Sequence, residues 1–316
     1  MTEVREDIYY HTMAGNLDDK AKRIIPHVRG SKVLDVGAAD GVLSRRIEET
    51  AGVEEVWSCD LSPADDRVEQ VGAQDVAQYY GEEFFDTVVL SSVLHEVWSA
   101  GSFVGINFNI EADDWDEQHK VCVDCMGDKA WYRAVESAYK ALKPGGRLII
   151  RDGVRPPQNT LIQVWLDEEM MRRAIWFTTD CPWMIGRDED FKLQPLEDLD
   201  HSVPDHFVGY LSALNRPDLV AEFLFTATWG DSGWDKEVLE RYCAVELSSM
   251  KSILQRLSPE AIKGYSYTQP GYRDRNKNKL MVMTNGKTWP ATNCLITVDK
   301  PSRKKPYNHF TSDNLG

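Results

Sequence analysis

The stretch VLDVGAADGVLS, residues 33–44, puts an apolar run, an acid and two close glycines into twelve positions. Val33 to Val36 read as a short buried strand, and Gly37 lets the chain turn sharply behind it. VLSRR and the residues after it then continue as a helix that Gly52 ends. A strand that turns through glycine into a helix brings backbone amides close to a ligand, with a helix N-terminus that favours negative charge.

Outward from this stretch the strand–helix rhythm repeats. LDDKAKRIIPHVR (residues 17–29) has helical spacing, EEVWSCDLS (54–62) reads as a second strand and FFDTVVLSSVL (84–94) as another. KAWYRAVESAYKALK (129–143) reads as a helix, and GGRLIIRD (145–152) as a strand entered through the KPGG turn. The expected fold is α/β, a doubly wound, mostly parallel sheet of Rossmann-like form. Near the end, Asn285-Gly286 between KLMVMT and KTW is a strong turn signal, so an antiparallel C-terminal hairpin is expected there.

Two stretches break the rhythm. Residues 98–128 show no clear periodicity, and residues 153–260 read as largely helical, with helices around 160–177 and 235–257. The expected organisation is an N-terminal leader and helix (1–29), an α/β core (30–152) with the insertion 98–128, a helical insertion or lid (153–260), and terminal strands with a basic tail (261–316). Insertions after strand ends of an α/β sheet tend to cover the ligand crevice.

The 316 residues include 51 acidic and 36 basic side chains, a formal net charge of -15. A surface of that sign repels phosphate backbones, so nucleic acid is disfavoured as a partner. The start, MTEVREDIYYHTM, lacks the basic end and apolar core of a secretory signal, and no run of eighteen apolar residues occurs. A cytoplasmic protein with reduced thiols and no membrane partner is expected.

Several ligands use a glycine turn after a strand. A dinucleotide fingerprint starting at Gly37 would need glycines where Ala39 and Val42 stand. A P-loop ending at Gly286-Lys287-Thr288 finds Met281 in place of its first glycine. What remains is Asp35 before the turn and a second acid, Asp60, closing the next strand, where a carboxylate suits ribose hydroxyls.

With these features the sequence resembles the class I S-adenosylmethionine-dependent methyltransferases. VLDVGAADG matches their first motif, WSCDLSP their second, and FFDTVVLSSVLHEV and ALKPGGRLIIRDG their later strands, in the expected order over residues 30–152. The resemblance implies S-adenosylmethionine as cofactor, with Gly37, Ala38, Ala39, Asp40 and Gly41 against its methionine part. It implies Asp35 facing the sulfonium and amino group, Asp60 the ribose, Leu61 and Asp75 the adenine, and Ser91 and Ser92 the floor near the methyl. Ala39 departs from the glycine that many members carry.

Displacement at a sulfonium needs alignment above all, with a base only where the nucleophile holds a proton. His95, just beyond a strand end, is the first candidate base and Asp152 the second. His119, Cys122 and Cys125 form an H-x-x-C-x-x-C pattern, with Cys181 or His201 as a conceivable fourth ligand, but a lone CxxC is thin and no metal is assigned. Seven tryptophans, Trp98, Trp115, Trp165, Trp176, Trp183, Trp229 and Trp234, fall in the two insertions. They read either as a roof over an acceptor or as packing, and packing is preferred.

The expected activity is methyl transfer to a small or medium organic acceptor. Two alternatives are a cofactor-binding enzyme with another reaction and a catalytically silent interaction module. Oligomeric state is not legible.

Overall fold

In the computed structural model the described residues are 17–106, 117–184, 191–196, 203–213, 216–258, 262–285 and 289–303, with 103–106 and 117–125 described as backbone only. In chain order the elements are α1 (Leu17–Ile24), β1 (Lys32–Val36), α2 (Val42–Ala51), β2 (Glu55–Asp60), β3 (Glu69–Gln70), α3 (Val76–Tyr80) and β4 (Phe85–Ser91). Next come α4 (Leu94–Ile106), α5 (Glu117–Ala141), β5 (Leu142–Gly153), β6 (Ile162–Leu166), α6 (Glu168–Asp180), β7 (Lys192–Pro195) and β8 (Gly209–Ala213). The chain continues through α7 (Pro217–Ala227), α8 (Gly230–Glu237), α9 (Leu247–Leu254), β9 (Lys263–Tyr267), α10 (Pro270–Arg275), β10 (Leu280–Thr284) and β11 (Asn293–Asp299).

The main sheet has seven strands in the order β3-β2-β1-β4-β5-β11-β9. Strands β1 to β5 run parallel, and β11 lies antiparallel to both β5 and β9. Central strands are apolar on both faces, as a sheet covered on both sides requires: Val33, Leu34, Val36, Val88, Val89, Leu90, Ile149 and Ile150 are all buried. The order reverses direction between β1 and β4, so a crevice opens where their carboxyl ends diverge.

The rest of the chain departs from expectation in three places. Antiparallel pairing at the end of the sheet joins β11 to β9, not to the strand before Asn285-Gly286. That strand, β10, pairs with β6 in a second, antiparallel sheet ordered β10-β6-β8-β7. Segment 153–260 therefore supplies three strands as well as helices. The apolar spacing Ile162, Leu166, Met170 and Ala174 is real, since all four are buried, but it runs across a strand and a helix. Ile162, Val164 and Leu166 alternate with half-buried Gln163 and Trp165, a period of two, and Asp167 then caps α6 by accepting from the Met170 amide at 2.8 Å. In segment 98–128, without visible periodicity, the described residues 98–106 and 117–128 belong to α4 and the start of α5.

Trp98, Trp183, Trp229 and Trp234 are buried, and Trp165 and Trp176 are half-buried, so most of the insertion tryptophans pack. Trp115 and the side chains of His119, Cys122 and Cys125 lie outside the described residues, as does His201. Cys59, Cys181, Cys243 and Cys294 are buried free thiols. Among the described residues no helix is long and apolar enough to cross a membrane.

The cover meets the core at Gly153, where an added Cβ would lie 2.6 Å from the Tyr242 carbonyl oxygen. Backbone cannot yield as a side-chain tip can, so Gly153→Ala is expected to cost about 2 kcal/mol through overpacking, measured as a lower urea midpoint at unchanged slope.

Candidate active site

The glycine turn is pinned to β2. Gly37 and Ala38 donate to the Cys59 carbonyl at 2.8 and 3.0 Å, and Ala39 donates to Asp60 Oδ2 at 2.9 Å. Gly37 has φ 76°, and a Cβ there would meet Val93 at 2.5 Å, so the position accepts only glycine. Ala39 also adopts a left-handed φ, 48°, that the neighbouring contacts must hold. Asp40 accepts from the Val42 amide and starts α2, while Gly41 sits at the helix N-cap.

Asp60 is bonded on both oxygens, to Ala39 and, at 2.8 Å, to the Ser62 amide. Each carboxylate oxygen keeps a further lone pair for a hydroxyl. Leu61 next to it is 69 % exposed, a bare apolar side chain at the crevice. Leu61 and Asp75 both face Gly72, whose added Cβ would lie 3.7 Å from one and 3.3 Å from the other. Asp75 stands at the start of α3 without capping it by its side chain.

Asp35 is 1 % exposed and accepts from Ser44 at 2.8 Å through Oδ2. Its Oδ1, and the hydroxyl of buried Ser91, have no hydrogen-bond partner among the described residues. Burial pushes the Asp35 carboxyl up to about 6, against the pull of Ser44 and Lys20. Ser92, with φ 59°, accepts from Arg151 at 2.6 Å, so its hydroxyl serves the scaffold.

His95 and Asp152 meet directly. His95 Nδ1 lies 2.5 Å from Asp152 Oδ1, and Oδ2 accepts from the amides of Val93 and Leu94 at 3.1 and 2.7 Å. Gly153 adds a third amide at 2.7 Å, so the buried carboxylate is fully engaged. Burial alone would raise Asp152, but His95 and these amides hold it below the usual carboxylate range. Conversely, burial opposes charge on His95, but Asp152 and Glu240 outweigh it and raise the imidazole well above its ordinary value. The ring stacks on Tyr242 at 4.4 Å, and Nε2 lies 3.4 Å from Glu240.

Three residues at this place escaped sequence reasoning. Glu240 comes from the turn after α8 and carries no motif. Glu96 follows His95, exposed at the rim of the crevice beside Glu240. Lys20 on α1 is drawn down to about 8 by burial and by Arg151, while Asp35, Glu96 and Asp152 pull the other way. A lysine on a helix face reads as solvated, and only the docking of α1 reveals its acidic surroundings.

The crevice therefore joins a glycine turn, an acid closing β2, orphaned buried polar atoms and a His–Asp pair at the carboxyl edge of the sheet. The methyltransferase domain family matches residues 9–181, more than half of the chain, and the protein belongs to that family: it is an S-adenosylmethionine-dependent methyltransferase. Among solved structures it is similar to an S-adenosylmethionine-dependent methyltransferase from Archaeoglobus fulgidus, at 12 % identity over 89 % of this chain and 92 % of that one, with a TM-score of 0.39. It is also similar to the 1,6-didemethyltoxoflavin-N1-methyltransferase of Burkholderia thailandensis, which was solved with S-adenosylhomocysteine, at 12 % identity over 95 % and 88 % and a TM-score of 0.39. No curated protein matches the chain.

The residues present fit the cofactor: Asp35 Oδ1 and Ser91 Oγ are buried without partners, and Leu61 is bare beside Asp60. Ionised Asp35 is carried at a cost to stability. Asp35→Asn is expected to stabilise the protein by up to about 3 kcal/mol above pH 6. An acid with a raised folded pKa destabilises where it is ionised, so this gain shrinks as pH falls from 6 and vanishes below the unfolded value of 3.8. Melting temperatures at pH 4 and pH 8 check it.

Proposed function

We propose that the methyl acceptor is a small or medium organic molecule, bound where the cover meets the carboxyl edge of the sheet. The observation that carries this is a cavity of about 520 Å³, lined by residues that include Val154, Arg155, Pro157, Lys251, Thr284 and Trp289. Its wall begins at Val154, two residues along the chain from Asp152, although neither Asp152, His95 nor the glycine turn lines it; its size suits small organic ligands, and its walls are apolar with a few polar groups. Thr284 is 4 % exposed and its hydroxyl has no partner among the described residues, so a polar atom on the acceptor would satisfy it. The net charge of -15 disfavours nucleic acid as the acceptor.

When bound, S-adenosylmethionine supplies an electrophilic methyl group on a sulfonium. The chain's part is to hold, orient and exclude water. Gly37 to Gly41 offer backbone to the methionine part, Asp35 and Lys20 offer opposite charges to its amino and carboxylate groups, Asp60 takes the ribose, and Leu61 and Asp75 the adenine. Ser91 lines the floor; Ser92 supports it through Arg151. In its neutral form, which its carboxylate neighbours shift to higher pH, His95, oriented by Asp152, assists loss of the acceptor's proton.

The test is transfer of labelled methyl from S-adenosylmethionine into a lysate fractionated into metabolites, protein and nucleic acid. Label in the metabolite fraction is expected, and label confined to a macromolecule would overturn the acceptor class. Asp60→Ala is expected to weaken S-adenosylmethionine binding tenfold or more by calorimetry, since it loses both the ribose acceptor and the anchor of Ala39. His95→Ala is expected to cut turnover about 100-fold while leaving that affinity within about twofold.

A further inference from the structure

At the acceptor end of the crevice one imidazole and two carboxylates converge from different parts of the chain. One ring nitrogen of His95 and one oxygen each of Glu96 and Glu240 all lie within 4.8 Å of one another. We propose that His95, Glu96 and Glu240 bind a divalent first-row cation that meets the acceptor.

The geometry has the parts of an open catalytic metal site. His95 is 6 % exposed and its Nδ1 is engaged by Asp152 at 2.5 Å, so the ring is fixed with Nε2 facing Glu240 at 3.4 Å. Metal-ligating histidines characteristically give their other nitrogen to a carboxylate, which orients the ring and makes it a better ligand. Asp152 is itself fixed by the amides of Val93, Leu94 and Gly153. A cation about 2.1 Å from each ligand tolerates up to about 4.2 Å between two of them, so a small side-chain adjustment closes the site. Glu96 is exposed and Glu240 half-buried, which leaves coordination positions open toward the crevice.

Charge argues the same way. Among the described residues no lysine or arginine forms an ion pair with either glutamate, and Lys20 reaches Glu96 only through space. His95 already faces Glu240 through Nε2 at 3.4 Å, and a divalent ion would take the place of the proton on that nitrogen. One nitrogen and two carboxylate oxygens suit Mn²⁺ or Zn²⁺ better than Ca²⁺. Such an ion takes an acceptor that offers an oxygen ligand, a hydroxyl or carboxylate, and makes its proton easier to lose. His95 then assists the acceptor as a ligand of the cation. The inference rests on the methyl-transfer reading for what the cation does, but not for whether it binds.

Mn²⁺ is the probe, because it avoids the thiols that would compete for Zn²⁺. Titration of the full chain with Mn²⁺, followed by electron paramagnetic resonance, is expected to show one tight site. Glu96→Gln and Glu240→Gln should each weaken it at least tenfold, and Asp152→Asn 10- to 100-fold through the ring. Equal Mn²⁺ binding by wild type and both glutamate variants, or none by folded wild type, overturns the site. Calorimetry with S-adenosylmethionine on the same samples separates the two readings: Mn²⁺ binding that depends on the glutamates, with no cofactor binding, sustains the cation and sinks the methyl-donor crevice.

Discussion

The Asp152 carboxylate is the constraint on which the site depends. It sits at the end of β5, is 1 % exposed, and accepts from the backbone of Val93, Leu94 and Gly153 while holding His95. Through it the end of β4, the first turn of α4 and the end of β5 become one rigid junction. Removing such a group would strand several buried donors at once, each costing roughly 1–3 kcal/mol, so its effect reaches well beyond one contact. Val93, fixed by the same carboxylate, is the residue that packs against Gly37. The His95 end of the crevice and the glycine turn are therefore held in mutual register.

Arg151, the residue before Asp152, does for the far side what Asp152 does for the near side. It is buried, donates to Ser92 at 2.6 Å and to the Tyr267 hydroxyl at 3.1 Å, and also bonds Gln269. Successive residues on a strand point to opposite faces, so one dipeptide braces both sides of the sheet. Within the cover, Glu222 ties α7 to the residues that meet this frame, its two oxygens accepting from the amides of Tyr242 and Cys243 at 2.8 Å. That contact places Tyr242 against His95 and Glu240 beside it.

Much of this was legible because the relevant signals are local. Gly37, Asp35 and Asp60 announce themselves by spacing around a strand and a turn, and His95 and Asp152 by lying just past strand ends. What escaped depends on partners far away in sequence. Glu240 and Lys20 look like ordinary solvated charges until the fold brings them to the crevice. Ile162 to Leu166 has few residues in which to show a period, and its helical spacing with Met170 and Ala174 is accidental to the join at Asp167. Asn285-Gly286 is a sound turn signal, but β10 before it finds β6 as its partner, and the last strand of the main sheet pairs with β9 instead.

The pairing of β10 with β6 has a kinetic consequence. Leu280 lies opposite Leu166, so one edge of the second sheet is missing until more than a hundred further residues have been made. The parallel strands β1 to β5 come early and use mostly neighbouring partners, and they can form while the cover still has a bare strand. Long-range pairing of this kind is slow, and an unpaired edge is a template for other chains. During synthesis the cover is thus the part most exposed to aggregation until β10 emerges and closes it.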